Sequence, residues 1–185
     1  MSIFEFLMVL VSIIIGLGIS EVLRGIARHI RNRDSVSVYW VHSVVVILVF
    51  VALLQQWWEI WGLQSHSDWS FLGLLMMLTG PTGLFLIAYL LFPQPVKGAN
   101  FREYYYGPMR PVWWIAVLTV TLATLFRPII FGDDLFIIDN ASSLIGFVGF
   151  SILALSPNRL LHAVLVPMLL ASILWDILAM SFGIS

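Results

Sequence analysis

Cysteine is absent from the 185 residues, which excludes disulfides, thiolate metal sites, iron–sulfur clusters and cysteine nucleophiles together. Charge is almost as scarce. Only 10% of the residues are charged, whereas a soluble domain carries about 25%, so a water-exposed surface cannot be built from this chain. Lysine occurs once, as Lys97 in a predicted loop, and that placement excludes a retinal Schiff base inside a helical bundle. No phosphate-binding glycine loop, HExxH zinc pair or serine nucleophile elbow is found. The formal net charge of -1 provides no global attraction to nucleic acid.

What fills the chain instead is hydrophobic residues, 61% of the total, in runs of about 20. Helices solvated by lipid need that length, because about 30 Å of hydrocarbon is crossed at about 1.5 Å per residue. The pattern predicts an all-α, polytopic integral membrane protein: one domain, residues 1–185, with six transmembrane helices in a compact bundle with short loops. The predicted spans are 3–23, 38–61, 70–92, 112–131, 135–155 and 160–183. The first is expected to remain in the mature protein, since Glu5 stands where a signal peptide has positive charge and an arginine cluster follows the apolar run.

The arginines predict orientation. Arg24, Arg28, Arg31 and Arg33 follow the first span, Lys97, Arg102 and Arg110 the third, and Arg159 the fifth, so these turns are expected in the cytoplasm and both termini outside. Arg127 alone lies toward the opposite end, beside Asp133 and Asp134. Tyr39, Trp40, Tyr104 to Tyr106, Trp113 and Trp114 are expected in the inner aromatic belt, with Trp57, Trp58, Trp61, Trp69 and Trp175 in the outer one. Pro81 and Pro167 interrupt the third and sixth spans. That pairing is the pointer expected of an inverted repeat, although three outward-opening hairpins describe the chain as well.

Ionisable groups at membrane depth cost about 2.5–3.5 kcal/mol each and so become candidate functional residues. Asp176, Asp139, Arg127, Glu59 and Gln55 all fall in the predicted outer half, with Gln56 beside them, and Gln55 and Glu59 share a helix face at four-residue spacing. They are candidates for a solute or ion site; simple charge pairing of Arg127 with a carboxylate is the competing reading. His42 and His162, at matched depth near the inner ends of two helices, form a candidate pair of axial haem ligands. His29 and His66 are expected in solvent-facing loops. Arg24, Arg28 and Arg31 form one basic stripe if the first helix continues beyond the membrane, suited to anionic lipid headgroups. The segment from Phe101 to Pro111 is expected to lie along the inner surface. Ser12, Gly16 and Ser20, and likewise Ser142 and Gly146, mark close-packing faces within the bundle or between protomers. Asn140-Ala141-Ser142 is a formal glycosylation sequon.

The stretches EFLMVLVSIIIGLGISEVLRGIARHIRNR, YWVHSVVVILVFVALLQQWWEIW and FREYYYGPMRPVWW resemble a loose group of small bacterial multi-span membrane proteins of uncharacterised activity. The resemblance covers about the first two thirds of the chain and implies a bacterial inner-membrane location. Three functions are open: small-solute or ion transport through the outer-half site, with no cofactor; a haem-binding or redox subunit using His42 and His162; or a non-catalytic accessory subunit of a membrane complex. Membrane lipids and a homo-oligomeric or membrane-complex partner are the expected contacts.

Overall fold

The computed structural model describes residues 3–64, 69–94, 96–132 and 141–182. Its elements are α1 (Ile3–Arg31), α2 (Trp40–Trp61), α3 (Phe71–Leu90), the short α4 (Phe101–Tyr106), α5 (Pro111–Phe131), α6 (Ala141–Leu155) and α7 (Arg159–Phe182). No strand occurs among the described residues. Five helices, α1, α2, α3, α5 and α7, are long and apolar enough to cross a membrane, and α6 is a shorter apolar helix. An all-helical membrane bundle follows, because within lipid a helix satisfies its own backbone polar groups.

The helix ends show why the chain turns where it does. Ser70 accepts a hydrogen bond from Gly73 N at 3.0 Å and caps α3, while Pro111 opens α5, where its missing N–H costs nothing. α5 stops at Gly132, whose φ of 75° is the left-handed conformation that a terminating glycine accepts readily. α1 is longer than its apolar run. Its 29 residues extend about 43 Å, carrying the arginines beyond the hydrocarbon as one continuous helix.

The six apolar helices close into a ring: α3 packs on α1 and α5, α6 on α5 and α7, and α7 returns to α2, which packs on α1 and α3. The two halves of the chain are therefore packed differently. α1 touches both helices that follow it, whereas α5 packs on α6 and on α3, an arrangement that supplies no symmetry matching Pro81 to Pro167. Around Pro81 the small residues are packing devices. A Cβ on Gly80 would lie 2.7 Å from Oε1 of Gln56, and one on Gly83 would overlap Thr119 on α5.

The small-residue faces divide in an unexpected way. Ser12, Gly16 and Ser20 face outward, with nothing within 4 Å of where a Gly16 Cβ would stand. Close approach inside the bundle is made instead by Gly18 against Leu53 and by Gly25 against Phe92. On α6 the expectation holds better, with Gly146 buried near Val120 and Gly149 seated against Leu169.

α4 adds a feature that hydropathy did not show: one side of the segment 101–111 enters the bundle, where Phe101 and Tyr105, one helical turn apart, are buried at 1% and 0% exposure and close one end, while Arg102, Glu103, Gly107, Pro108 and Arg110 stay exposed. Asn100 caps this helix by accepting from the N–H groups of Arg102 and Glu103 at 3.1 and 3.4 Å. Tyr105 and Trp113 are thus core residues, not members of an aromatic belt, although Trp40, Trp114, Trp58 and Trp175 are exposed as a belt requires.

Candidate functional site

Two polar constellations stand at opposite ends of the ring. At the end bearing the α2 C-terminus, Gln55 Nε2 donates to Glu59 Oε1 at 2.8 Å across one turn of α2. Arg127 on α5 and Asp176 on α7 both lie within electrostatic reach of the Glu59 carboxylate. Four of the five residues singled out from the sequence thereby lie in one electrostatic neighbourhood, contributed by three helices. Asp139, the fifth, lies outside the described residues, as do Asp133, Asp134, His66 and Asn140. Glu59 and Arg127 are exposed and Asp176 is half-buried, whereas Gln55 Oε1 is sealed from solvent without a hydrogen-bond donor.

Two carboxylates against one guanidinium leave this cluster with a formal excess of negative charge. Its acceptors, the carboxylate oxygens and Gln55 Oε1, are suited to a cation or to a solute rich in N–H donors. The threonines of α5 add nothing to it. Thr119, Thr121 and Thr124 each return their hydroxyl to a carbonyl one turn back, at 2.7 Å, so their polarity is spent within the helix.

The opposite end is an aromatic plug built by α4. His162 donates from Nε2 to the Ser156 carbonyl at 2.8 Å, since a carbonyl can only accept. Nδ1 of the neutral ring then accepts from the Tyr105 hydroxyl, also at 2.8 Å. His42 likewise donates from Nε2 to the Leu91 carbonyl at 2.7 Å, and its ring meets Phe92 and Phe101 edge to face. Burial raises the phenol pKa of Tyr105 above its usual value, and the neighbouring Tyr106 and Tyr39 add to the rise. Tyr106 is raised for the same first reason and hydrogen-bonds Tyr39 at 2.8 Å.

As packed, His162 has no ring nitrogen free for an axial bond to iron, because both are engaged by the protein, whereas His42 engages only Nε2 among the described residues. The histidines act as struts that tie helix ends to α4. His29, expected in a loop, sits instead on α1 with its ring 4.8 Å from Phe101, a further strut of the same plug. Within the plug Trp113 is 2% exposed, and its indole Nε1–H has no acceptor among the described residues.

The basic stripe is real as a helical feature, since Arg24, Arg28 and Arg31 all lie on α1. Glu21, a residue the charge pattern alone did not single out, partly neutralises it: Arg24 pairs with Glu21 at 2.7 Å and Arg28 at 4.0 Å. The i, i+3 spacing of Glu21 and Arg24 was the available signal. No protein family, curated protein or solved structure matches this chain.

Proposed function

We propose that the chain is a six-span protein of a bacterial inner membrane, with both termini outside, and that it transports or conducts a small cationic solute through the site formed by Gln55, Glu59, Arg127, Asp176 and Asp139. The observation that carries this reading is the convergence on Glu59 of charges from α5 and α7 at the end where α2 leaves the bundle. Charges placed at membrane depth without a task would be lost at little structural cost, whereas these come from three separate helices to one place. The span counted beyond the five long helices is α6, the fifth in chain order and the shortest of the six.

Asp176→Asn and Glu59→Gln test the proposal. In proteoliposomes each is expected to reduce flux of monovalent cations or small amines at least tenfold while the purified variants stay folded. Wild-type flux in both variants removes the site from the function.

A second reading, a non-catalytic subunit of a membrane assembly, is favoured by one observation. Ser12, the first residue of that outward face, lines an open groove of about 460 Å³ between α1 and α2 together with Met8, Ile13, Trp57 and Trp61. A monodisperse monomer in mild detergent that retains flux would remove it.

A further inference from the structure

At the plug end three arginines stand near a single carboxylate of α4, Glu103, which accepts from the Asn100 side chain at 2.9 Å. Arg102 on α4, Arg110 at the start of α5 and Arg159 at the start of α7 are exposed, and none forms an ion pair among the described residues. They converge on one spot. Arg102 stands one turn from Tyr106 on α4, Arg159 one turn from His162 on α7, and Arg110 lines a small pocket with Tyr106 and His162, whose ring centres are 5.3 Å apart.

Two of these arginines occupy the least favourable place on a helix for a cation. Arg110 precedes the first turn of α5 and Arg159 begins α7, so each adds to the positive end of a helix dipole. Arg24 and Arg28, by contrast, have Glu21. The buried Trp113 lines a small pocket with Tyr105, Tyr106, Arg110, Ser156 and His162, and this pocket as packed has no room for a water molecule to accept from the indole N–H. Among the described residues the Trp113 indole lacks an acceptor and the three guanidiniums lack a carboxylate partner. Beside it Leu155 and Leu160 are 70% and 76% exposed, an apolar surface adjoining the guanidiniums.

We propose that this end of the bundle binds the phosphate of an anionic phospholipid, held by Arg102, Arg110 and Arg159 with the Trp113 indole as its buried donor and the acyl chains on Leu155 and Leu160. Guanidiniums hold phosphate oxygens in pairs, which a lysine cannot reproduce, and an arriving oxygen supplies the indole with its missing acceptor in a conformation where the Trp113 pocket is wider than the packing here. The site is separate from the α1 stripe and independent of the transport reading.

Binding of dioctanoyl phosphatidylglycerol, dioctanoyl phosphatidylcholine and inorganic phosphate to the full chain in a neutral detergent tests it. Phosphatidylglycerol is expected to bind at least tenfold more tightly than phosphatidylcholine. Arg110→Lys/Arg159→Lys, which keeps charge and topology, and Trp113→Phe are each expected to weaken it severalfold, with Arg33→Gln, which removes an exposed arginine paired with Asp34, close to wild type. Inorganic phosphate that binds alone and displaces the lipid supports the phosphate site and assigns it to the free anion; phosphate that does neither assigns it to lipid. Equal affinity for the two lipids, or an equal loss in Arg33→Gln, overturns the proposal. Wild-type affinity in Trp113→Phe and in the lysine pair overturns it as well.

Discussion

Replacing glycine by alanine at two helical positions should have opposite consequences, and the difference follows from what each Cβ would meet. At Gly83 the new carbon overlaps the Thr119 hydroxyl and lies 2.7 Å from its methyl and 2.9 Å from its Cβ. No rotation of Thr119 relieves a contact with its own Cβ, so α3 and α5 must separate. Overpacking of this kind costs about 1–3 kcal/mol, and the better helix propensity of alanine returns at most about 1. A net loss of about 1–2 kcal/mol corresponds to a fall of roughly 2–8 °C in Tm for a chain of this length. At Gly16 nothing stands within 4 Å, so only the propensity gain remains and Tm should hold or rise. Thermal unfolding of the purified variants in one mild detergent measures both. Thr119→Ala added to Gly83→Ala should recover part of the loss, because it removes the hydroxyl and methyl but leaves the Cβ. A Gly83→Ala protein as stable as wild type, or a Gly16→Ala protein equally damaged, would refute the packing of α3 on α5 described above.

Two further outcomes are expected. Tyr105 keeps its proton in the folded protein beyond the pH, about 10, at which an unfolded tyrosine begins to lose it. Its contribution to stability is therefore complete below pH 10 and declines as pH rises past it, by up to about 1.4 kcal/mol per pH unit for each such proton. Tm measured from pH 9 to 11.5 should fall, and Tyr105→Phe should flatten the slope; parallel slopes would deny the buried phenol. The single lysine makes orientation easy to read. In intact inverted vesicles a membrane-impermeant amine reagent should reach Lys97, in right-side-out vesicles it should not, and the reverse result turns the bundle over.

Much of the architecture was legible because lipid imposes a simple rule on sequence. The limits of α2, α3, α5 and α7 differ from the hydropathy reading by no more than two residues at either end, since apolar length alone decides where a span begins and stops. α1 broke the rule at Leu23, where hydropathy ends but the helix does not: Glu21 and the arginines support each other along its surface and carry it to Arg31. Hydropathy also misplaced α4. A six-residue helix of Phe, Arg, Glu and three tyrosines has the composition of an interfacial segment, and only the i, i+4 spacing of Phe101 and Tyr105 signalled that one side of it would enter the bundle.

The same distinction explains the candidate sites. Intramembrane charge is conspicuous in an apolar sequence, so Glu59, Arg127 and Asp176 stood out individually, and a ring closed by α2 on α7 and α3 on α5 brings helices distant in sequence to one end. Histidine is less informative, because its meaning depends on which atoms its two nitrogens meet. His42 and His162 look alike in sequence as a matched pair of metal ligands, yet each spends its Nε2–H on a backbone carbonyl, Leu91 at the end of α3 and Ser156 after α6. A carbonyl in the last turn of a helix has no partner of its own and must find one, so an imidazole placed there relieves a structural deficit before it is free for any chemistry. On that ground a paired histidine near helix ends in a membrane bundle is first a candidate for closing helix termini, and the unsatisfied Trp113 among the arginines is the better guide to where a ligand belongs.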